Sequence, residues 1–337
     1  MGQGTSYALE NLVLDLRAEE QTREDLDHLL QELLWVRTPP GRTARPDLHL
    51  FVSWNNGEFR IPQNCREVLR TDDFLGFEVN DDFYLTDRWS VFHLQPSRRE
   101  GHARLAPSFF AKPTLAQVNF WCFGLLKLLR PLGIYSLHAA GLAAKNGIGL
   151  LLVGASGSGK STLAIGLIRE GWSYLSDDAV LLRYGSQGVE ALAYRRSFYI
   201  DAARYPDYSD FPLGEEMPDS KSGKRRRVGI DAGCPEQYLS RCVPEVVIFP
   251  QIKPQAQSTL EPSDSVRALG LLLAQSAPQL FDRSTMAQHL ELLKRLLQQT
   301  ETYELTAGRD LYHEPAKLMD LIQEARGEKN WRGSSLS

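Results

Sequence analysis

The sequence of 337 residues predicts an α/β fold organised on a phosphate-binding loop, with a smaller α+β unit ahead of it. Three observations carry this. Gly154-Ala155-Ser156-Gly157-Ser158-Gly159-Lys160-Ser161 satisfies G-x-x-x-x-G-K-[ST] at every fixed position. The apolar run Leu150-Leu151-Leu152-Val153 precedes it as a buried strand, and Leu163, Ile165, Leu167 and Ile168 follow on a helix. Residues 8–112, by contrast, show short alternating runs and one amphipathic helix, with no catalytic motif.

The chemistry of the loop follows from its residue types. Glycines let successive backbone N–H groups face one point, and the helix behind them adds unpaired N–H groups and the positive end of its dipole. Residues 154–162, from Gly154 to Thr162, are the expected ATP-binding segment. Lys160 would reach the β- and γ-phosphates, and Ser161 would present its hydroxyl to Mg2+. Such a loop also needs a carboxylate at a nearby strand end, which Asp177-Asp178 supplies at the head of an apolar run. Adjacent residues of an extended chain face opposite ways, so one aspartate is expected at the metal and the other at the acceptor or in the core. Only one helix and its turns separate Lys160 from Asp177, which predicts that the two strands are neighbours.

The whole-chain properties narrow the setting. Hydrophobic content of 42% and charge of 24% fit a soluble globular protein, and a net charge of −4 offers no basic field for nucleic acid. No apolar run approaches the roughly 18 residues of a membrane span, and no signal peptide opens the chain. Cys65, Cys122, Cys234 and Cys242 are scattered without metal-ligand spacing, as reduced thiols of a cytoplasmic protein would be. Met1 to Ser6 fits a myristoylation pattern, but no polybasic patch follows, so it reads as a disordered start. Self-association is left open.

In the N-terminal unit, residues 12–16 alternate as a strand and residues 23–36 carry helical spacing, stopped by Thr38-Pro39-Pro40-Gly41. Strands are expected at 48–54, 76–79, 83–86 and 90–94 in a mostly antiparallel sheet, with Asn55-Asn56-Gly57 as a hairpin turn into 59–61. His49 and His93 read as structural. Residues 107–113 read as a linker, and Thr114 as the cap of an apolar helix over 115–129, buried between the two units. Gly124 in its middle either weakens the helix slightly or marks a close approach to a neighbouring element. Residues 134–144 suggest a strand pair around small side chains, which puts His138 one strand from the phosphate site.

Beyond the aspartates, residues 194–200 read as a strand carrying Arg195 and Arg196, and 206–222 as a mobile loop. Lys224, Arg225 and Arg226 belong to the densest basic cluster. They are either a solvated charge run, an RNA-like patch by chance composition, or contacts for phosphates or an acidic acceptor. A strand at 246–249, helices at 263–274 and 286–299, a strand at 302–305 and a helix at 315–325 complete the chain. The domains are then 1–112 and 113–326, with 327–337 a disordered tail.

His138-Ala139-Ala140-Gly141, the loop Gly154 to Thr162, and Ser176-Asp177-Asp178 together resemble the HPr kinase/phosphorylase-like kinases, whose P-loop core is related to that of phosphoenolpyruvate carboxykinase. The resemblance implies a P-loop kinase domain of that type, using ATP and Mg2+. It implies Asp177 as base on an acceptor serine, Asp178 as metal or hydroxyl-orienting partner, and His138 near the site, with the two aspartate roles interchangeable. Ser161-Thr162 stands where HPr kinases carry Ser-Glu, and no Glu-x-Arg-Gly-x-Gly follows between Arg183 and Ser240. HPr itself and the reverse phosphorylase reaction therefore do not follow. The chain looks more like the divergent HPr kinase-related proteins, some of which phosphorylate serine in peptide precursors such as lasso peptides. The expected activity is an ATP-dependent kinase acting on a serine of a peptide or small protein, with the N-terminal unit as a candidate for acceptor recognition. The alternatives are a kinase of a small metabolite such as free serine, or a nucleotide-binding regulatory module, against which the retention of Lys160, Ser161 and both aspartates argues.

Overall fold

Alternation in the first third builds a nine-stranded sheet. In a computed structural model that describes residues 4–39, 45–55, 57, 61–195, 197–201, 203, 207–219, 223–276 and 284–334, its order is Val36–Arg37, Thr5–Leu9, Leu12–Arg17, Leu48–Trp54, Glu100–Leu105, Val91–Gln95, Asp82–Thr86, Leu75–Val79 and Arg66–Arg70. The sheet is mostly antiparallel, as expected, but Leu48–Trp54 runs parallel to both of its neighbours. The expected hairpin turn at Asn55-Asn56-Gly57 into residues 59–61 involves Asn56, Phe59 and Arg60, which lie outside the described residues. Thr5–Leu9 begins inside the expected disordered start. Glu100–Leu105 escaped the sequence pattern because its inward positions include Gly101 and Ala103, which carry little hydrophobic signal.

The helix Glu20–Glu32 buries Leu26, Leu29 and Leu30, and ends before the expected Val36. The second helix, Thr114–Leu129, has Pro113 and not Thr114 at its cap position. Its Phe120 and Phe123 meet Phe74 edge-on, with ring centroids 6.4 and 5.2 Å apart. Both belong to a first compact unit formed by Met1–Tyr135 with Gln279–Met286, so the boundary expected at Pro113 falls at Tyr135.

The second unit, Ser136–Pro278 with Ala287–Ser337, is α/β. Its six-stranded sheet has the order Ser173–Ser176, Ala139–Ala143, Gly149–Val153, Pro244–Ile252, Glu301–Ala307 and Thr259–Pro262. The P-loop strand Gly149–Val153 and the aspartate strand Ser173–Ser176 are therefore not neighbours. Ala139–Ala143 lies between them, antiparallel to both. Ala139, Ala140 and Gly141 are small enough to fit there fully buried. The expected strand pair over 134–144 is also split, because Tyr135–Leu137 joins a separate sheet with Val180–Gly185, Gly188–Ala193 and Arg241–Cys242.

A third sheet sets Gly223–Val228 between Phe198–Asp201 and Leu213–Asp219. Much of the stretch expected as a mobile loop is thus strand, and the basic cluster sits on a strand; Arg196, Lys221 and Ser222 lie outside the described residues. The last helix, Lys317–Ser334, runs well into the expected disordered tail. The P-loop helix Lys160–Arg169 buries Leu163 to Ile168 in one cluster with Leu150, Leu152, Phe198, Val228 and Ile322.

One glycine tests the packing of the first unit. A Cβ at Gly124 would overlap a ring carbon of Phe92, which is fully buried. Gly124→Ala should therefore destabilise the protein by about 1–3 kcal/mol in chemical denaturation, through overpacking. Alanine's better helix propensity alone would instead stabilise it by about 1 kcal/mol, so a gain in stability would show that the contact is not tight.

Candidate active site

The antiparallel register assembles the site. Pairing of Ala139 with Val153 puts His138 across from the start of the P-loop. Pairing of Gly141 with Ser176 carries the chain on toward His138 as it reaches Asp177 and Asp178. Within the loop, Gly157 and Gly159 sit at φ +87° and +100°, and the latter is the N-cap of the P-loop helix. A Cβ at Gly159 would also meet the Ile252 side chain at 2.8 Å, so a glycine is required there on both counts.

The two aspartates diverge, but not by the alternation of an extended chain. Asp178 is held at φ +63°, a left-handed conformation that costs a residue with a side chain roughly 1–2 kcal/mol. The turn sends the neighbouring carboxylates in different directions. Asp177 is fully buried and accepts a hydrogen bond from the Ser161 hydroxyl at 2.7 Å. Asp178 turns toward His138, whose Nε2 is 3.9 Å from its carboxylate. The structure thus joins Ser161 to Asp177, whereas the sequence reading put Ser161 and Asp178 together at the metal.

Lys160 and His138 complete the cluster. The Lys160 ammonium donates to the carbonyl oxygens of Gly154 (2.7 Å) and Ala155 (3.3 Å) and to His138 Nε2 (3.0 Å). His138 then carries its proton on Nδ1, which donates to the Asp178 carbonyl oxygen at 2.9 Å. Burial pushes both the His138 and Lys160 pKa values down, against the pull of the Asp178 carboxylate. Burial, then the Asp178 charge, raises the Asp177 carboxyl to about 7. Burial also works to raise Asp178, but His138, Arg195, Lys160 and Arg225 together hold it below the usual carboxylate range.

Within the basic cluster, Arg225 reaches the loop. Arg225 donates to the Ser156 hydroxyl at 2.9 Å, while Lys224 and Arg226 are engaged by Glu216 at 2.6 and 3.0 Å. Strand alternation separates them: neighbours on Gly223–Val228 face opposite sides. Arg195, which the sequence reading placed on a strand without assigning it to the site, belongs to it. It is buried, its charge acts on Asp178 and His138, and its N–H donates to the buried Ser176 hydroxyl at 2.8 Å. The signal was present as an arginine inside an apolar run.

The donor set suits a divalent cation that keeps much of its water. Asp177 Oδ1 is buried with no hydrogen-bond partner among the described residues, next to the Ser161 hydroxyl. No cluster of three or more His, Cys, Asp or Glu ligands exists among the described residues. Beside the loop, a cavity of about 740 Å3 is lined by Ser158, Gly159, Thr162, Ile252, Pro254 and Tyr312 among others. No helix among the described residues is long and apolar enough to cross a membrane.

Over 68 residues the chain is 40% identical to the HPr kinase/phosphorylase of Chlorobium chlorochromatii (strain CaD3). The resemblance is to the HPr kinases. The matched stretch covers 20% of this chain and 20% of that relative, so the chain spans about one fifth of the relative's length. No family model matches the chain. The solved HPr(Ser) kinase/phosphatase from Coxiella burnetii aligns with 59% of this chain and 95% of its own at 13% identity, with a TM-score of 0.30.

The raised Asp177 carboxyl has a stability consequence. Its folded pKa of about 7 lies above the ordinary 3.8, so the folded state binds the extra proton. Its contribution to stability is therefore lost as pH rises between those values, and above pH 7 the full cost of the buried charge is present. In metal-free protein, Asp177→Asn should raise Tm at pH 8 by roughly 2–4 °C, the shift that about 1 kcal/mol makes in a protein of this size. The gain should shrink toward pH 4. A variant that melts lower at pH 8 would show that the carboxylate is stabilising as it stands.

Proposed function

We propose that the chain is an ATP-dependent kinase that transfers the γ-phosphoryl group to a serine hydroxyl of a peptide or small protein. The observation that supports this most is the division of labour between the aspartates. One is buried against the P-loop serine, and the other is half-buried among His138, Arg195, Lys160 and Arg225. In this reading the nucleoside half of ATP occupies the cavity that opens from Ser158 and Thr162. The loop N–H groups and Lys160 bind the phosphates, and Arg225 closes on them from the third sheet.

Ser161 and Asp177 are the residues that would hold Mg2+, which when bound neutralises charge on the β- and γ-phosphates. Asp178 then serves as the base, reversing the roles that the sequence suggested. The serine oxygen forms a bond to the γ-phosphorus as the bond to the ADP oxygen breaks, and the serine proton passes to the Asp178 carboxylate. A carboxylate held at low pKa is a weak base, which suits a step in which the proton leaves late. His138 orients Asp178 through the backbone and steers Lys160 through Nε2. Serine as acceptor rests on the kinship with HPr kinases, whose named relative acts on HPr.

Two variants test the assignment. Asp178→Asn should lower kcat by about 10²- to 10⁴-fold while Mg-ATP affinity, measured by calorimetry, is preserved. Asp177→Asn should instead raise the Mg2+ concentration needed for half-maximal activity. A mirror-image result would return the base to Asp177, and full activity in both variants would remove the kinase mechanism.

A further inference from the structure

The direction of the Asp178 carboxylate depends on the backbone that carries it. Among the described residues it accepts no side-chain hydrogen bond, and His138 Nε2 stands 3.9 Å away. Asp177 differs, because Ser161 holds its carboxylate from the P-loop helix. The Ala179 N–H donates to the Asp177 carbonyl oxygen at 2.8 Å, which closes a three-residue turn around Asp178. With φ at +63° in the middle, this is the γ-turn of positive φ, a rare and strained form. Such backbone persists only where its surroundings over-determine it.

One support is the His138 Nδ1–H on the Asp178 carbonyl oxygen. Another is the Ser176 hydroxyl, immediately before the aspartate pair and fully buried. Its oxygen lies 2.7 Å from the Ala179 carbonyl oxygen and 2.8 Å from that of Arg195. It also accepts from the Arg195 N–H at 2.8 Å, with the Tyr194 N–H farther off at 3.4 Å. A hydroxyl has one proton, so it donates to the two carbonyls in turn while accepting from the amides. Every partner is a backbone atom. The side chain therefore spans the aspartate pair from residue 176 to residue 179. It also fastens that turn to the segment that carries Arg195, whose charge acts on Asp178. Filling the space does not call for a hydroxyl, since burying one costs free energy unless it is bonded.

We infer that Ser176 is a positioning residue: its hydroxyl holds the strained turn that parts Asp178 from Asp177, and keeps Arg195 in register with it. The consequence for turnover rests on the kinase reading given above; the hold on the turn does not. Without the hydroxyl, the Ala179 carbonyl and the Arg195 amide lose a buried partner, and the backbone around Asp178 is free to leave positive φ. The Asp178 carboxylate then moves, because nothing else fixes its aim. Asp177 stays with Ser161, so the proposed metal position is spared. A shift of about 1 Å in a reacting group is enough to cost on the order of a hundredfold in rate.

The test uses the full chain with Ser176→Ala, which removes the hydroxyl, and Ser176→Cys, which fills its space but donates and accepts weakly. In metal- and nucleotide-free protein, amide exchange followed by NMR should speed up at Ala179 and Arg195 by about three- to tenfold in both variants. With Mg-ATP and short serine-containing peptides as acceptor, kcat, read as ADP formed, should fall by about 10- to 100-fold in both. The Mg2+ concentration for half-maximal activity should stay as in the unmutated protein. In an Asp178→Asn background, Ser176→Ala should cost less than about threefold more, because the group it positions is already gone. Unchanged exchange at both amides, full activity in Ser176→Cys, or losses that multiply in the double variant would each overturn the proposal. An unmutated protein that forms no ADP sinks the kinase assignment alone, and the exchange rates then decide whether Ser176 holds the turn.

Discussion

The hydrogen bond from Ser161 to Asp177 ties the first turn of the P-loop helix to the end of a strand two places away in the sheet. A carboxylate with no exposure to water survives there only because it has such a partner, and because cations stand close by. The second carboxylate follows immediately in the chain, and two like charges cannot share one buried position. The left-handed backbone at Asp178 resolves the conflict by turning the second group outward, among His138, Lys160, Arg195 and Arg225. Helix, strand end and cationic rim are thus consequences of burying one acid.

The strand Ala139–Ala143 gives this arrangement its spacing. It holds the P-loop strand and the aspartate strand apart by one strand width, and its N-terminal end delivers His138 to the corner between them. Side chains larger than those of Ala139 and Ala140 would have to displace a core that leaves neither any exposure. The same histidine contacts Lys160 on one side and the Asp178 backbone on the other, so the imidazole joins loop and aspartate turn in one piece.

The strand, glycine-rich loop and helix over Gly149–Arg169, and the nearness of the aspartate pair to them, were legible in the sequence, because the loop's residues stand at fixed spacing and its neighbours are local. His138 was placed one strand from the loop for the same reason, since only a short turn separates Ala144 from the P-loop strand. Strand order was not legible. The short interval from Lys160 to Asp177 suggested adjacent strands, and nothing in a local pattern reports that an earlier strand has been inserted. The roles within the aspartate pair were hidden too, because they depend on one backbone torsion. Among the basic residues, the choice of Arg225 over its neighbours depends on Glu216, which reaches them only through strand pairing. The nine-stranded sheet was read in part: Glu100–Leu105 buries Gly101 and Ala103 and Arg66–Arg70 buries only Leu69, whereas Thr5–Leu9 buries Thr5, Tyr7 and Leu9 but begins inside the stretch read as a disordered start.

The left-handed torsion at Asp178 also governs how mutations at that position are to be read. Asparagine and glycine accept a positive φ readily, whereas valine, isoleucine or threonine would strain the turn through their branched Cβ. A β-branched replacement would therefore swing Asp177 away from Ser161 as well as removing a carboxylate. Its inactivity would be a fault of shape passing for a fault of chemistry. Sequence drift at this position is expected to run through Asn and Gly, even in descendants that no longer need the acid.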